Sequence, residues 1–218
     1  MAEKTKAKAE AEKAEKAESG GKKPTKAAKK SIDTWKKKKW FSILAPKEFS
    51  QKPVGETPAE KPANILGRVI KVNLFDLTAQ RQKRHITVYF RADGVQGTTV
   101  STILAGHDIH PSHLARVIRR RSSKMEVVQT LASSDNRNVR VKTVVVSARK
   151  IEGRKRTAVR NIVSETVLRS TKGKPFDQII QELIFGVTAS DVFKNAKAIA
   201  PVKRAEIVKS FLLEDSKK

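Results

Sequence analysis

Between residues 84 and 91, Ile86, Val88 and Phe90 alternate with His85, Thr87 and Tyr89. A period of two predicts a strand with one buried face. Residues 65–79, rich in branched side chains, read as β as well, and 40–45 as a short strand. Ala92-Asp93-Gly94 offers turn chemistry, which makes 98–104 a hairpin partner for 84–91. A second hairpin, 125–132 with 139–150, folds around Ser133-Ser134-Asp135-Asn136. Between the two hairpins Pro111 suits the first position of a helix, and Leu114, Val117 and Ile118 give it one apolar face to about residue 121.

Beyond residue 155 the period changes. Val159, Ile162, Val163 and Val167 recur at helical spacing over 156–171, with Gly173 as the stop. Phe176, Ile179, Ile180, Leu183 and Ile184 form the apolar face of a helix over 175–185, closed by Gly186. Thr188 and Asp191 are spaced as an N-cap and its third-position acid, predicting a helix over 189–199 that Pro201 ends. Residues 202–213 fit a helix or a strand. The β-branched pair Ile207-Val208 and the lack of clean helical spacing favour the strand, which would place Ile207, Phe211 and Leu213 on one face.

The N-terminal part differs from all of this. Residues 1–31 hold no Val, Ile, Leu, Phe, Trp or Tyr, so they cannot bury enough apolar surface to offset their ordering entropy. They are expected to form a flexible, disordered basic tail. Residues 32–63 run from a basic, aromatic segment into a Pro-rich extended connector, and about a third of 64–213 is Val, Ile, Leu or Phe, a folding composition. The expected organisation is therefore a tail over 1–31, a basic/aromatic segment and connector over 32–63, and an α+β core over 64–213.

Charge narrows the function. The chain of 218 residues carries +25 at neutral pH and no Cys. Disulfides, thiolate zinc sites and thiol catalysis are excluded. The longest stretch free of charged residues, 94–107, is short and polar, which argues against a membrane span, and the N-terminal residues contain no apolar h-region, so no secretory signal is expected. A cytoplasmic protein with a polyanionic partner is expected.

Fourteen Lys and Arg against three acids fall within 111–160, and fourteen Lys against six acids within 1–40. Arg116, Arg119, Arg120, Arg121 and Lys124 form one block, with the first three opposite the apolar face of the 111–121 helix. Arg149, Lys150, Arg154, Lys155, Arg156 and Arg160 form another. Arg outnumbers Lys in both, and its planar fork suits bidentate phosphate contacts. Because a hairpin brings its open ends together, Lys124 and Lys150 should be neighbours and the two blocks one patch. Trp35, Lys36, Lys37, Lys38 and Lys39 add a third candidate, an aromatic beside phosphate-binding lysines. Trp40 and Phe41 read as core residues of the strand rather than as stacking platforms.

His107, His110 and His113, with Asp108, resemble a metal set in composition only. They straddle a helix start and diverge, so neither a metal nor a cofactor is expected. No phosphate-loop, dinucleotide, zincin or hydrolase motif occurs, and no enzyme is expected.

Several segments carry a family resemblance: WFSILAPKEF, VGETPA over 54–59, NILGRVIKVNLFDLT, HLARVIRRRSSK over 113–124, and VRVKTVVVSARK. Over about 36–213 the chain resembles the small-subunit ribosomal protein family of archaea and eukaryotes called S-three-A-e, or eukaryotic-type S-one, in an archaeal form. The resemblance implies a mainly antiparallel, β-barrel-like core with accessory C-terminal helices, closed by 202–212 as a strand. It also implies a structural protein on the platform of the small subunit. There it would bind small-subunit ribosomal RNA, touch neighbouring ribosomal proteins, lie near messenger RNA at its exit, and form no homo-oligomer. A free nucleic-acid-binding protein, of chromatin or RNA-chaperone type, is the alternative.

Overall fold

The computed structural model describes residues 34–213, so the expected tail over 1–31 lies outside the described residues. The chain divides into two compact units at Lys37 and Lys38. Of the first, only a single 3-10 turn, Thr34–Lys37, is described.

The second unit holds eight strands and five α-helices among the described residues. In chain order these are β1 (Lys39–Leu44), β2 (Pro53–Ala59), β3 (Val69–Asn73), α1 (Leu74–Thr78), β4 (Ile86–Gln96), β5 (Thr99–Ile109), α2 (Pro111–Val117), β6 (Lys124–Ala132), β7 (Asn138–Ser147), α3 (Gly153–Thr171), α4 (Phe176–Phe185), α5 (Val187–Lys197) and β8 (Val202–Leu213). No described helix is long and apolar enough to cross a membrane.

One sheet organises the unit, and it branches at β5. Along one edge β5 pairs antiparallel with β4, and β3 lies beyond β4. The other edge is shared: Val100 pairs parallel with Ile43 of β1, while 106–108 pair antiparallel with β8. From there one wing runs to β2 and the other through β7 to β6. Among the described residues no ladder joins β6 back to β3. The sheet is open, and the barrel-like core that the resemblance implies is not closed here. The α+β class and the predominance of antiparallel pairing hold.

Period-two burial runs along β4, where Ile86, Val88, Phe90 and Ala92 face the core. Helix α4 turns Phe176, Ile179, Ile180, Leu183 and Ile184 inward, and ends at Gly186 in the left-handed region (φ 83°). Helices α4 and α5 pack on β8, and α3 packs on β6 and α5. The turn between β6 and β7 docks on the α3–α4 connection, where Phe176 N–H donates to the Asp135 carboxylate at 2.9 Å. A smaller cluster of Phe41, Ile43, Ala59, Ile65, Ala92 and Val100 seals the β1–β2 wing.

Several expectations need correction. Ala92-Asp93-Gly94 is a bulge inside β4, and the hairpin turns instead at Gly97-Thr98. Pro53–Ala59, expected as connector, is an edge strand, the place in a sheet where prolines are tolerated. The end of the 65–79 segment coils into α1, with Asn73 as its N-cap. The helix starting at Pro111 stops at Val117, because Ile118 turns extended and packs on the core, so Arg119 and Arg120 are not on a helix face. Helix α5 starts at Val187 behind Gly186, so Thr188 is no cap. It is buried, and its hydroxyl has no partner among the described residues.

Residues 202–213 form the predicted strand, but Lys203 and Val208 are skipped in its register with β7. The second bulge buries Ile207 and Val208 in succession and turns Phe211 outward, so Ile207 and Phe211 do not share the expected face.

Candidate nucleic-acid interface

The two Arg blocks meet at a serine joint. Lys124 pairs with Val146 at the open end of the β6–β7 hairpin. Just outside that pair, Ser123 N–H donates to Ser147 Oγ at 2.8 Å, and Ser147 N–H donates to the Ser123 carbonyl at 3.0 Å. The Ser147 hydroxyl reaches the Arg149 carbonyl, and Ile151 N–H donates to Ser123 Oγ at 3.1 Å. These bonds tie the backbone of 149–151 to that of Ser123. Both serines are buried, so the joint is shielded from water.

The basic residues lie on the chain segments that flank this joint. Arg116 sits on the last turn of α2, and 119–121 follow as a turn in which Arg121 is left-handed (φ 65°) and the Ser122 hydroxyl donates back to the Arg119 carbonyl. Across the joint, Arg149 and Lys150 lead into α3, whose first two turns carry Arg154, Lys155, Arg156 and Arg160. All are exposed. Lys124 is ion-paired with Glu126, which Lys142 also meets at 3.0 Å. Hydrogen bonds from the two lysines hold the Glu126 carboxyl below its usual range.

The start of α3 has no acid in its first turn. Cations there oppose the helix dipole, which favours anions at that end. Basic residues placed against the dipole are suited to an external anion rather than to the helix itself.

Trp35, Lys36 and Lys37 lie exposed in the separate 3-10 turn, and Lys38 and Lys39 are exposed at the start of the second unit. Phe41 is buried as expected, but Trp40 is 57% exposed, which corrects its placement in the core. The alternation Trp40-out, Phe41-in, Ile43-in was available in the sequence as period two.

Only part of the expected divergence of the histidines holds: His107 parts from the other two, whereas His110 and His113 line one cleft. His107 is buried between β5 and β8, while the His110 ring accepts from Ser112 N–H in α2. His113 stacks on His85, with ring centroids 3.8 Å apart and planes 8° from parallel, and donates from Nε2 to Glu206 at 3.0 Å. His85, His113 and Glu206 thus bring three metal-type donor atoms within 4.8 Å of one another. Yet Arg204 Nε sits 2.6 Å from the same Glu206 oxygen, and two face-to-face rings cannot aim their lone pairs at one point. The cluster fits a hydrogen-bonded charge pair better than a metal centre. Burial first, then His113, lowers the pKa of His85.

Sequence reasoning missed Arg81 and Arg84. With Arg116 and three histidines they line a second basic cleft; the signal was the run Arg81-Gln82-Lys83-Arg84-His85, masked by its place between two β-like segments.

Comparison with known proteins agrees with this chemistry. The chain matches the model of the Ribosomal S3Ae family over residues 26–216. Small ribosomal subunit protein eS1 of Saccharolobus solfataricus is 36% identical to it over 182 residues, covering 84% of this chain and 88% of that protein. The eS1 protein of Sulfolobus acidocaldarius is 36% identical over 186 residues, covering 85% and 94%. A family match across nearly the whole chain, with relatives that span most of both lengths, establishes that the chain belongs to the ribosomal S3Ae family.

Proposed function

We propose that this protein is a structural constituent of the small ribosomal subunit, in the cytoplasm, and that it holds small-subunit ribosomal RNA through backbone phosphates. It is not an enzyme. The observation that carries the RNA reading is the joining, through Ser123, Ser147 and Ile151, of the segment that holds Arg119, Arg120 and Arg121 to the one that holds Arg149, Lys150, Arg154, Lys155, Arg156 and Arg160. Side chains of that kind, exposed and without acidic partners among the described residues, fix register on a polyanion rather than read base sequence.

On this reading the core over 64–213 seats the protein on the platform near the messenger-RNA exit, against neighbouring ribosomal proteins and as a single copy. The segment over 32–63 brings Trp35 and Lys36, Lys37, Lys38 and Lys39 to RNA, and the tail over 1–31 adds lysine contacts. The names of its eS1 relatives support the subunit, and the resemblance supports the platform.

Sedimentation of cell extract tests the assignment. The protein is expected to migrate with small subunits and to stay with them at moderately high salt, and probing of the subunit RNA should show protections at the platform. Release as free protein, or spread along chromosomal DNA, would favour the free nucleic-acid-binding alternative.

A further inference from the structure

The cleft beside α2 is separate from the serine joint. It has a volume of about 470 Å³ and is bounded by the 3-10 turn Arg81–Lys83, the start of β4 and helix α2. Arg81, Arg84 and Arg116 supply three guanidinium groups, and His85, His110 and His113 supply imidazoles. No Asp or Glu lines it. None of the three guanidinium groups has an acidic partner among the described residues, and all three residues are exposed.

The scaffold around it is fixed. Asn73 Nδ2 donates to the Arg84 carbonyl at 3.0 Å, and His110 N–H donates to the His85 carbonyl at 2.9 Å. His110 Nδ1 accepts from Ser112 N–H, so the neutral ring carries its proton on Nε2 and keeps a donor to offer.

We propose that this cleft takes one nucleotide of a single-stranded or looped RNA segment, with its phosphate on Arg81, Arg84 and Arg116. The proposal rests on the RNA reading above and deepens it. A duplex presents a convex backbone that suits an open patch. A concave site of this size, with three guanidinium groups and the neutral side chains of Gln82, Thr87 and Ser112 at its edge, suits a nucleotide turned out of a stack. Arg116 lines the cleft and stands three residues before Arg119, so the cleft adjoins the Arg patch along the chain.

The chain has four histidines, and three of them line this cleft. The fourth, His107, is 1% exposed and serves as an internal control. In the full-length protein, imidazole resonances are followed by NMR during titration with a short single-stranded ribo-oligonucleotide, while total binding is read by fluorescence anisotropy. The resonances of His85, His110 and His113 should shift with saturation and those of His107 stay. R81A/R84A should remove the shifts and weaken oligonucleotide binding about tenfold.

If RNA binds but the three imidazoles do not move, the cleft proposal falls and the RNA reading stands. If RNA does not bind at all, the RNA reading itself falls. Inorganic phosphate is the second probe: equal shifts with phosphate and no tighter response to the oligonucleotide would reduce the cleft to a simple anion site and overturn the nucleotide proposal.

Discussion

His107 is held at both ring nitrogens. Its Nε2 lies 3.0 Å from the Ile207 carbonyl, which can only accept, so the proton is on Nε2. Nδ1 then accepts from the Ser210 hydroxyl at 2.6 Å, and the hydroxyl oxygen accepts from the backbone N–H of His107 at 3.1 Å. The arrangement is complete only for the neutral ring, and burial pushes its pKa down to about 4. An unfolded histidine titrates near 6.5, so the unfolded chain takes up the proton first. Stability from neutral His107 is therefore full above about pH 6.5 and is lost as pH falls towards about 4, by up to ~3 kcal/mol. His107→Gln should be less stable at neutral pH and show a flatter fall across that window in thermal denaturation. A native His107 resonance titrating at its ordinary value would refute this. One residue earlier, a Cβ on Gly106 (φ 152°) would stand 2.0 Å from the Ser210 carbonyl oxygen. Gly106→Ala must push β8 away from β5 and should cost about 2 kcal/mol or more by chemical denaturation. A variant that unfolds like wild type would mean that the two strands are not joined there.

At the scale of elements, local patterns spoke clearly where one face was buried and the other wet. The alternation of Ile86, Val88 and Phe90 and the stripe from Phe176 to Ile184 both sit as their periods imply. What misled was chemistry with two local meanings. Ala92-Asp93-Gly94 has turn residues, yet the same residues make a bulge when the strands continue past them. Prolines in Pro53–Ala59 argue against a central strand, and only tertiary placement reveals an edge. The meeting of His85 with His113 and Glu206 is set by three elements far apart in sequence, and no local signal carries it. Strand β8 combines both cases: its existence was legible, its bulges were not. Ile207 is 3% exposed and Phe211 37%. Ile207→Asp, which buries an unpaired charge, should therefore cost about 3 kcal/mol or more, whereas Phe211→Asp should cost clearly less. Equal losses in melting experiments would restore the unbroken alternation and contradict the bulge at Val208.

For the whole molecule, a charge of +25 is a self-repulsion that a bound polyanion relieves, and the Arg patch is where that relief can be localised. Arg120 stands on the turn before the serine joint and Arg154 on the first turn of α3, both exposed. Each phosphate neutralised releases counterions, so log affinity falls with log salt by roughly 0.7–0.9 per contact. Arg120→Ala combined with Arg154→Ala should weaken RNA binding and flatten that slope by roughly 1.4–1.8. The fold should not suffer. Removing a cation from the start of α3 relieves an unfavourable dipole contact, so the free variant should melt at the wild-type temperature or slightly above it. That pairing of weaker binding with unchanged or greater stability separates an RNA contact from a structural one, because a structural arginine would lower both. Replacing the same two residues by Lys should recover part of the affinity and most of the slope, since charge returns but the bidentate fork does not. If the double Ala variant binds ribosomal RNA with wild-type affinity and slope, the patch is a solvated face, and the contacts lie instead with the cleft of Arg81, Arg84 and Arg116 or with Lys38, Lys39 and the basic residues that precede them.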